Sequence, residues 1–275
     1  MKASDITRII NDLEHAIDLA GSEPIAEDFK SLLVRMLDMK EQNMAPVLAV
    51  GANMIGRNSN LRGENRIKLF RDWHPTDYMI DIISNVMKSY VSWEYPCLEI
   101  FPGDGAFLPF VLGAEPLYIA DWDRMLLEDV SKQFNEYYAS KRLMKYVIKD
   151  YDLSPLPQDS FGFIYCVNWL RFEDLSGLNR LAKAVYDCLM PGGVYLFVFN
   201  PSDKWWGVSE METGYGNGAD TVELTKSLES IGFEVKEIQH QLHNVSHVIC
   251  KRPGEIRYIK SSSVLGKIID NNSNL

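Results

Sequence analysis

Cys97-Leu98-Glu99-Ile100-Phe101-Pro102-Gly103-Asp104-Gly105 is the stretch on which the reading of this chain turns. An apolar run that carries one acid breaks into a Pro-Gly-Asp-Gly segment, the pattern of a buried strand that ends in a tight turn. Beyond it, Phe107, Phe110 and Val111 recur at helical spacing and predict a helix directly after the turn. A strand, a Gly-x-Gly turn and a helix bring backbone amides close to a ligand and aim a helix N-terminus at it. Such turns are common, so the elements that follow carry the argument.

Pro116-Leu117-Tyr118-Ile119-Ala120 is a second apolar run, and it stops at Asp121. An acid at that place, roughly 20 residues beyond the first glycine turn, is positioned to accept hydrogen bonds from ribose hydroxyls. Arg124 to Arg142 repeats apolar residues on one helical face (Leu126, Leu127, Val130, Phe134, Tyr138). Tyr146-Val147-Ile148 predicts a third strand that leads to Asp150. Phe161 to Trp169 predicts a fourth, and its nearly unbroken apolar character suits a parallel strand buried on both faces. A helix over Asp174–Met190 follows, and Pro191-Gly192-Gly193 turns into a strand over Val194–Phe199. Strands that alternate with helices predict an α/β domain with a parallel sheet, whose ligand lies beyond the carboxyl ends of the strands. Glu99, Asp121, Asp150 and Asn168 all fall at or near such ends.

From about Tyr95 to Arg252 the chain resembles a class I S-adenosylmethionine-dependent methyltransferase. Glu99-Ile100-Phe101-Pro102-Gly103-Asp104-Gly105 resembles the first motif of that family, with Asp121 at its second-strand acidic position. The segment Asp150–Phe161 resembles the third-strand acid and the loop into strand four. Leu189-Met190-Pro191-Gly192-Gly193 resembles the turn before strand five, and Gly232-Phe233 a late helix-to-strand junction. Two positions depart from the pattern. Phe101 stands where the family has the first glycine of its loop, which narrows the approach to the methionine moiety. Gly162 replaces the acid that follows Phe161.

The resemblance implies a Rossmann-like class I methyltransferase fold, α/β, with a mostly parallel sheet, an antiparallel final strand, helices on both faces and an N-terminal helical cap. The final pair is expected over Phe233–Gln241 and Asn244–Lys251. The implied cofactor is S-adenosylmethionine, held by Glu99, Phe101, Gly103, Gly105, Asp121, Trp122, Asp150, Tyr151 and Asn168. Asn168 and His74, the latter before a helix in the cap, are the candidate catalytic residues.

The chain has 275 residues, a formal net charge of −10 and 46% hydrophobic residues. The acidity argues against a broad surface for nucleic acid or an anionic membrane. Cys97, Cys166, Cys188 and Cys250 show no paired spacing and read as buried thiols in a reducing compartment. No apolar stretch reaches transmembrane length, and the polar, helical N-terminus lacks signal-peptide organisation, so a cytoplasmic protein is expected. His240, His243 and His247 are irregularly spaced, and no metal site is expected.

Three regions are expected: a helical cap over 1–94, a methyltransferase domain over 95–253, and a flexible tail over 254–275. In the cap, two amphipathic helices (Ser4–Leu19 and Pro24–Lys40), an irregular stretch over 43–65 and a helix over Thr76–Tyr90 precede the first strand. The insertion 201–220, with Trp205, Trp206 and Tyr215, has the character of a lid. A small-molecule acceptor is expected beneath the cap and this loop, or the N-terminal helices join two copies of the chain. A protein acceptor is the other substrate class, and a methyltransferase-like fold kept as a binding or regulatory module is the rival to an enzyme. A nicotinamide-dependent oxidoreductase is disfavoured, because Gly103-Asp104-Gly105-Ala106-Phe107-Leu108 lacks the third glycine of that fingerprint.

Overall fold

The computed structural model describes residues 13–17, 30, 33, 77–134, 143–167, 169–204, 207–208, 211, 217–241 and 245–256. Its elements run in chain order as α1 (Asp77–Met87), β1 (Cys97–Ile100), β2 (Leu117–Asp121), α2 (Arg124–Phe134), β3 (Leu143–Val147), β4 (Phe161–Cys166), α3 (Leu175–Cys188), β5 (Leu189–Phe199), α4 (Thr221–Ile231), β6 (Glu234–Gln241) and β7 (Val245–Lys251). They build one seven-stranded sheet in the order β3-β2-β1-β4-β5-β7-β6. The first five strands pair in parallel, and β7 runs antiparallel to both β5 and β6. The chain winds outward from β1 through β2 to β3 and then returns to place β4 on the other side of β1. That reversal lies between β1 and β4, and open α/β sheets bind their ligands at the carboxyl ends of strands at such a point.

Alternation along each strand separates two cores. Leu98, Ile100, Ile164, Cys166 and Phe197 face α3 and α4, where Leu181, Val185, Leu224 and Leu228 are buried with them. Cys97, Ile119, Phe163, Tyr165, Leu196 and Val198 face the other way, toward Met79, Ile83 and Met87 of α1 and Leu127 and Val130 of α2. Every residue of β4 is buried, as expected of a strand covered on both faces. The helices on the first side are well bounded. The Asp174 carboxylate accepts the Gly177 amide at the start of α3, and Asp220 accepts the Val222 and Glu223 amides at the start of α4. α4 ends at Gly232, whose φ of 117° glycine adopts at little cost.

The expected sheet is present, and several local expectations change. The helix expected after the glycine turn is a single 3-10 turn, Leu108–Val111, because the Gly113–Pro116 segment that follows turns the chain into β2. β5 begins at Leu189, ahead of Val194, so Pro191-Gly192-Gly193 lies inside the strand. There the pairing with β4 shifts from Phe161↔Leu189 to Phe163↔Val194. A Cβ on Gly193 would stand 2.7 Å from the Phe161 carbonyl oxygen, which explains a small residue at the bulge. β3 starts three residues earlier than expected, at Leu143. α1 falls within the expected 76–90 helix, and α2 covers the first part of the expected 124–142 helix. Most of the expected cap, the distal part of that helix and the tail beyond 256 lie outside the described residues.

Gly162 has a steric reason that the sequence does not show. The Tyr95 ring lies over it, and a Cβ there would sit 2.2 Å from Tyr95 Cδ2. Tyr95 is held in place by its hydroxyl, which donates to the Tyr90 carbonyl at 2.7 Å, and Tyr90 in turn stacks on Phe163 at 5.9 Å. The segment that enters β1 is thus clamped across β4, and no side chain fits at 162. Gly162→Ala should cost about 1–3 kcal/mol through overpacking. Urea denaturation that gives a variant within about 0.5 kcal/mol of the parent would contradict this close approach.

Candidate functional site at the carboxyl edge

Glu99 lies one residue before the end of β1, in register with Ile119 on β2 and Tyr165 on β4. Only 1% of it is exposed, and burial holds its carboxyl well above the usual range. The Tyr165 hydroxyl works against that shift and the Asp104 charge adds to it. Burial thus favours the protonated form of Glu99, and its Oε2 has no hydrogen-bond partner among the described residues. Asp121, at the end of β2, is also fully buried. Its Oδ1 accepts the Asp123 amide at 2.7 Å, and Asp123 in turn caps α2 by accepting the Met125 amide at 2.9 Å. The acid expected to face ribose is thus oriented by the first turn of the next helix.

The glycine loop is folded tightly on itself. The Phe101 amide donates to the Ala120 carbonyl at 2.8 Å and the Gly105 amide to the Pro102 carbonyl at 2.9 Å. Gly103 and Gly105 have φ of 60° and 80°. A Cβ on Gly105 would stand 2.9 Å from Phe134 Cε2 and 3.1 Å from Val130 Cγ1, so this glycine admits α2 against the loop. Phe101 has a φ of 56°, in the left-handed region. For a bulky residue that conformation costs on the order of 1–3 kcal/mol.

The Phe101 ring is fully buried and meets three other rings at this edge. Its centroid lies 4.7 Å from Trp122, 5.5 Å from Trp169 and 6.1 Å from Tyr151. Trp122 also meets Trp169 edge-on at 4.5 Å, and Tyr151 at 6.4 Å. The Trp169 Nε1 donates to the Tyr151 hydroxyl at 3.0 Å and to Glu173 Oε1 at 2.9 Å. Arg180 caps the outer side of Tyr151, with its guanidinium 4.9 Å from the ring centroid. Such ring pairs each contribute about 0.5–1.5 kcal/mol beyond area burial, enough together to hold the strained backbone.

Of the expected cofactor residues, the fold brings Glu99, Phe101, Gly103, Gly105, Asp121, Trp122 and Tyr151 to one edge. Asp150 turns outward: its carboxylate is exposed and pairs with Arg180 at 2.8 Å. His74 and Asn168 lie outside the described residues.

The sequence did not single out several residues of this edge. Buried Asn200, just past β5, donates through Nδ2 to the carbonyls of Arg171 (2.9 Å) and Asn217 (3.1 Å). Asp203 accepts the Thr221 hydroxyl at 2.6 Å and its amide at 3.1 Å. These bonds tie the end of the 201–220 insertion to Asn200 beside β5, and its start to the first residue of α4. The only advance signal for Asn200 is an amide that ends an apolar strand; Glu173 gives none. His247 on β7 pairs with Val198 and is fully buried, with no partner for either ring nitrogen among the described residues. Burial, and then the charge of His240, push its pKa down to about 4. Among the described residues no group of His, Cys, Asp and Glu is arranged to hold a metal, and no helix is long and apolar enough to cross a membrane.

No family model and no curated protein matches this chain. Likeness appears among solved structures. Geranyl diphosphate C-methyltransferase from Streptomyces coelicolor A3(2), crystallised with Mg2+, geranyl diphosphate and S-adenosyl-L-homocysteine, matches with a TM-score of 0.52 at 9% identity. The match covers 62% of this chain and 77% of that one. A geranyl diphosphate methyltransferase in complex with S-adenosylmethionine matches with a TM-score of 0.52 at 10% identity, over 70% of this chain and 92% of that one. A methyltransferase from Aquifex aeolicus that depends on the same cofactor matches with a TM-score of 0.51 at 13% identity, over 69% of this chain and all of that one. The fold is that of the class I S-adenosylmethionine-dependent methyltransferases, as the sequence motifs imply.

The buried imidazole sets a pH dependence. The unfolded chain protonates His247 near the ordinary imidazole value of 6.5, the folded chain only near 4. Between those values the unfolded state holds more protons, so stability falls as pH drops from 6.5 toward 4, by roughly 3 kcal/mol at most. Glu99 acts with the opposite sign: its raised folded pKa removes stability as pH rises above the unfolded value of 4.5. Its part cancels when parent and His247→Leu are compared. The leucine variant should gain about 3 kcal/mol relative to the parent between pH 7 and pH 4 in denaturant titrations, and a difference independent of pH would contradict the buried neutral state.

Proposed function

We propose that this protein is an S-adenosylmethionine-dependent methyltransferase acting on a small-molecule acceptor. The observation that carries the reading is the pair of buried carboxyl groups, Glu99 and Asp121, at the carboxyl ends of adjacent strands beside the glycine loop. A buried carboxyl oxygen without a partner costs about 1–3 kcal/mol, and the Glu99 Oε2 place is filled when an ammonium enters beside it. Asp121, already oriented by Asp123, accepts from ribose hydroxyls. The Phe101 ring is the one element that fits poorly, because it stands within the same edge. Two solved structures of the same fold, both of a geranyl diphosphate methyltransferase, hold S-adenosylhomocysteine or S-adenosylmethionine, which supports the choice of ligand.

S-adenosylmethionine supplies, when bound, a methyl group on a sulfonium that the acceptor displaces directly. The contribution of this chain is alignment and exclusion of water, worth far more than any single acid–base group in such a displacement. In this reading Asn168 borders the reacting methyl group and His74 serves the acceptor, beneath residues of 1–94 and the 201–220 segment. The N-terminal helices alternatively join two copies of the chain. The four free, buried cysteines agree with a reducing, cytoplasmic location.

A second reading, in which the fold persists as a binding or regulatory module, is favoured by the Phe101 ring alone. Calorimetry with S-adenosylmethionine and S-adenosylhomocysteine separates the two. The enzyme reading expects dissociation constants of roughly 10–200 µM, about −5 to −7 kcal/mol. Silence toward both ligands at millimolar concentration leaves the binding-module reading. Asp121→Ala should weaken binding by about 1.5–3 kcal/mol through loss of a charge-assisted bond, and unchanged affinity in a folded variant would remove Asp121 from the site.

A further inference from the structure

We infer that Phe101 decides whether an adenosyl ligand is admitted: its ring occupies the ligand's place at the carboxyl edge and must leave the aromatic cluster before the ligand enters. This deepens the proposed function and rests on reading the edge as an S-adenosylmethionine site.

The backbone is the first observation. Residues 101, 103 and 105 all have positive φ, at 56°, 60° and 80°. The loop therefore follows a path made for glycine at each of the three, and two of them are glycine. The tie to β2 runs through the Phe101 amide, which any residue except proline provides. Nothing in the pairing of β1 asks for a ring here, and the backbone resists one.

The second observation is where the ring goes. Phe101 follows β1, Trp122 follows β2, Tyr151 lies in the loop after β3, and Trp169 opens the 3-10 turn after β4. Four side chains from four neighbouring carboxyl ends converge, with Phe101 touching the other three at 4.7–6.1 Å. The fold leaves this edge to its ligand, and here apolar rings fill it.

The third observation is an asymmetry in the cluster. Trp169 and Tyr151 are bonded to each other and braced by Glu173 and Arg180. Trp122 is only partly buried, and it donates no hydrogen bond among the described residues. Phe101 and Trp122 form the side that can open, and Trp169 and Tyr151 the wall that stays. A purely structural ring and a gate differ in what truncation does: the first loses stability and gains nothing, the second loses stability and gains affinity.

The test is titration of the full-length protein, Phe101→Gly and Phe101→Asn with S-adenosylhomocysteine and S-adenosylmethionine, by calorimetry and by tryptophan emission. Asparagine tolerates left-handed backbone and stands in if the glycine variant fails to fold. Both variants should melt at lower temperature yet bind S-adenosylhomocysteine at least tenfold more tightly, about 1.4 kcal/mol. Where the parent binds, its tryptophan emission should shift, because the cluster around Trp122 and Trp169 opens. A parent silent at millimolar ligand beside a variant that binds supports the gate and favours the binding-module reading. Equal or weaker binding by the variants overturns the gate and leaves the proposed function standing. If neither parent nor variants bind either ligand, both ideas fall.

Discussion

The left-handed turn that closes β1 constrains everything else at the carboxyl edge. The chain has to leave the most central pair of strands within a few residues, pass beneath α2, and still hand its amides to β2. Gly105 meets the second demand by admitting Phe134 and Val130 where a Cβ would collide with both. Phe101 meets the first at a cost in backbone strain and recovers it from contact with Trp122, Tyr151 and Trp169. The ring cluster is thus both the consequence of an unusual residue in that turn and the reason the turn persists.

The polar groups around this turn share one condition, which is dehydration. Burial pushes the pKa of the Glu99 carboxyl up and keeps His247 neutral on the far side of β5, and Asp121 is tied to the start of α2. A dry edge strengthens each electrostatic interaction made there and lets small displacements of one ring change what the carboxyl groups meet. It also links stability to function, since a buried carboxyl oxygen without a partner, such as Glu99 Oε2, is a cost that folding alone does not repay. The insertion after β5 extends this pattern outward, with Asn200 bonded to Asn217 at one end and Asp203 to Thr221 of α4 at the other.

Much of the fold was legible in the sequence because the signals were additive and ordered. The acid at each strand end, the unbroken apolar run of β4 and the glycine-phenylalanine junction before β6 each specify little, but in their order along the chain they point to one kind of α/β sheet. What escaped was whatever depends on partners distant in sequence. The spacing of Phe107, Phe110 and Val111 resembles a helix until the turn into β2 is weighed against it. Gly162 looks like a lost acid until Tyr95 is seen lying over it. The pairing of the Asp150 carboxylate with Arg180 on α3 could not be read from the chain either. Phe101 was legible as a departure, but its three ring partners come from three other elements and no periodicity connects them.

The central claim is that this ring fills the edge when no ligand is bound and leaves when one is. Crystal structures of the full-length protein, alone and with S-adenosylhomocysteine, test it most directly. The ligand-free crystal should show Phe101 in the left-handed region with its ring between Trp122, Tyr151 and Trp169, and the complex should show the ring displaced while Trp169 stays bonded to Glu173. A ligand-free crystal with an open edge and Phe101 turned away from the other rings, or a complex in which all four rings stay together beside the bound ligand, would contradict the account.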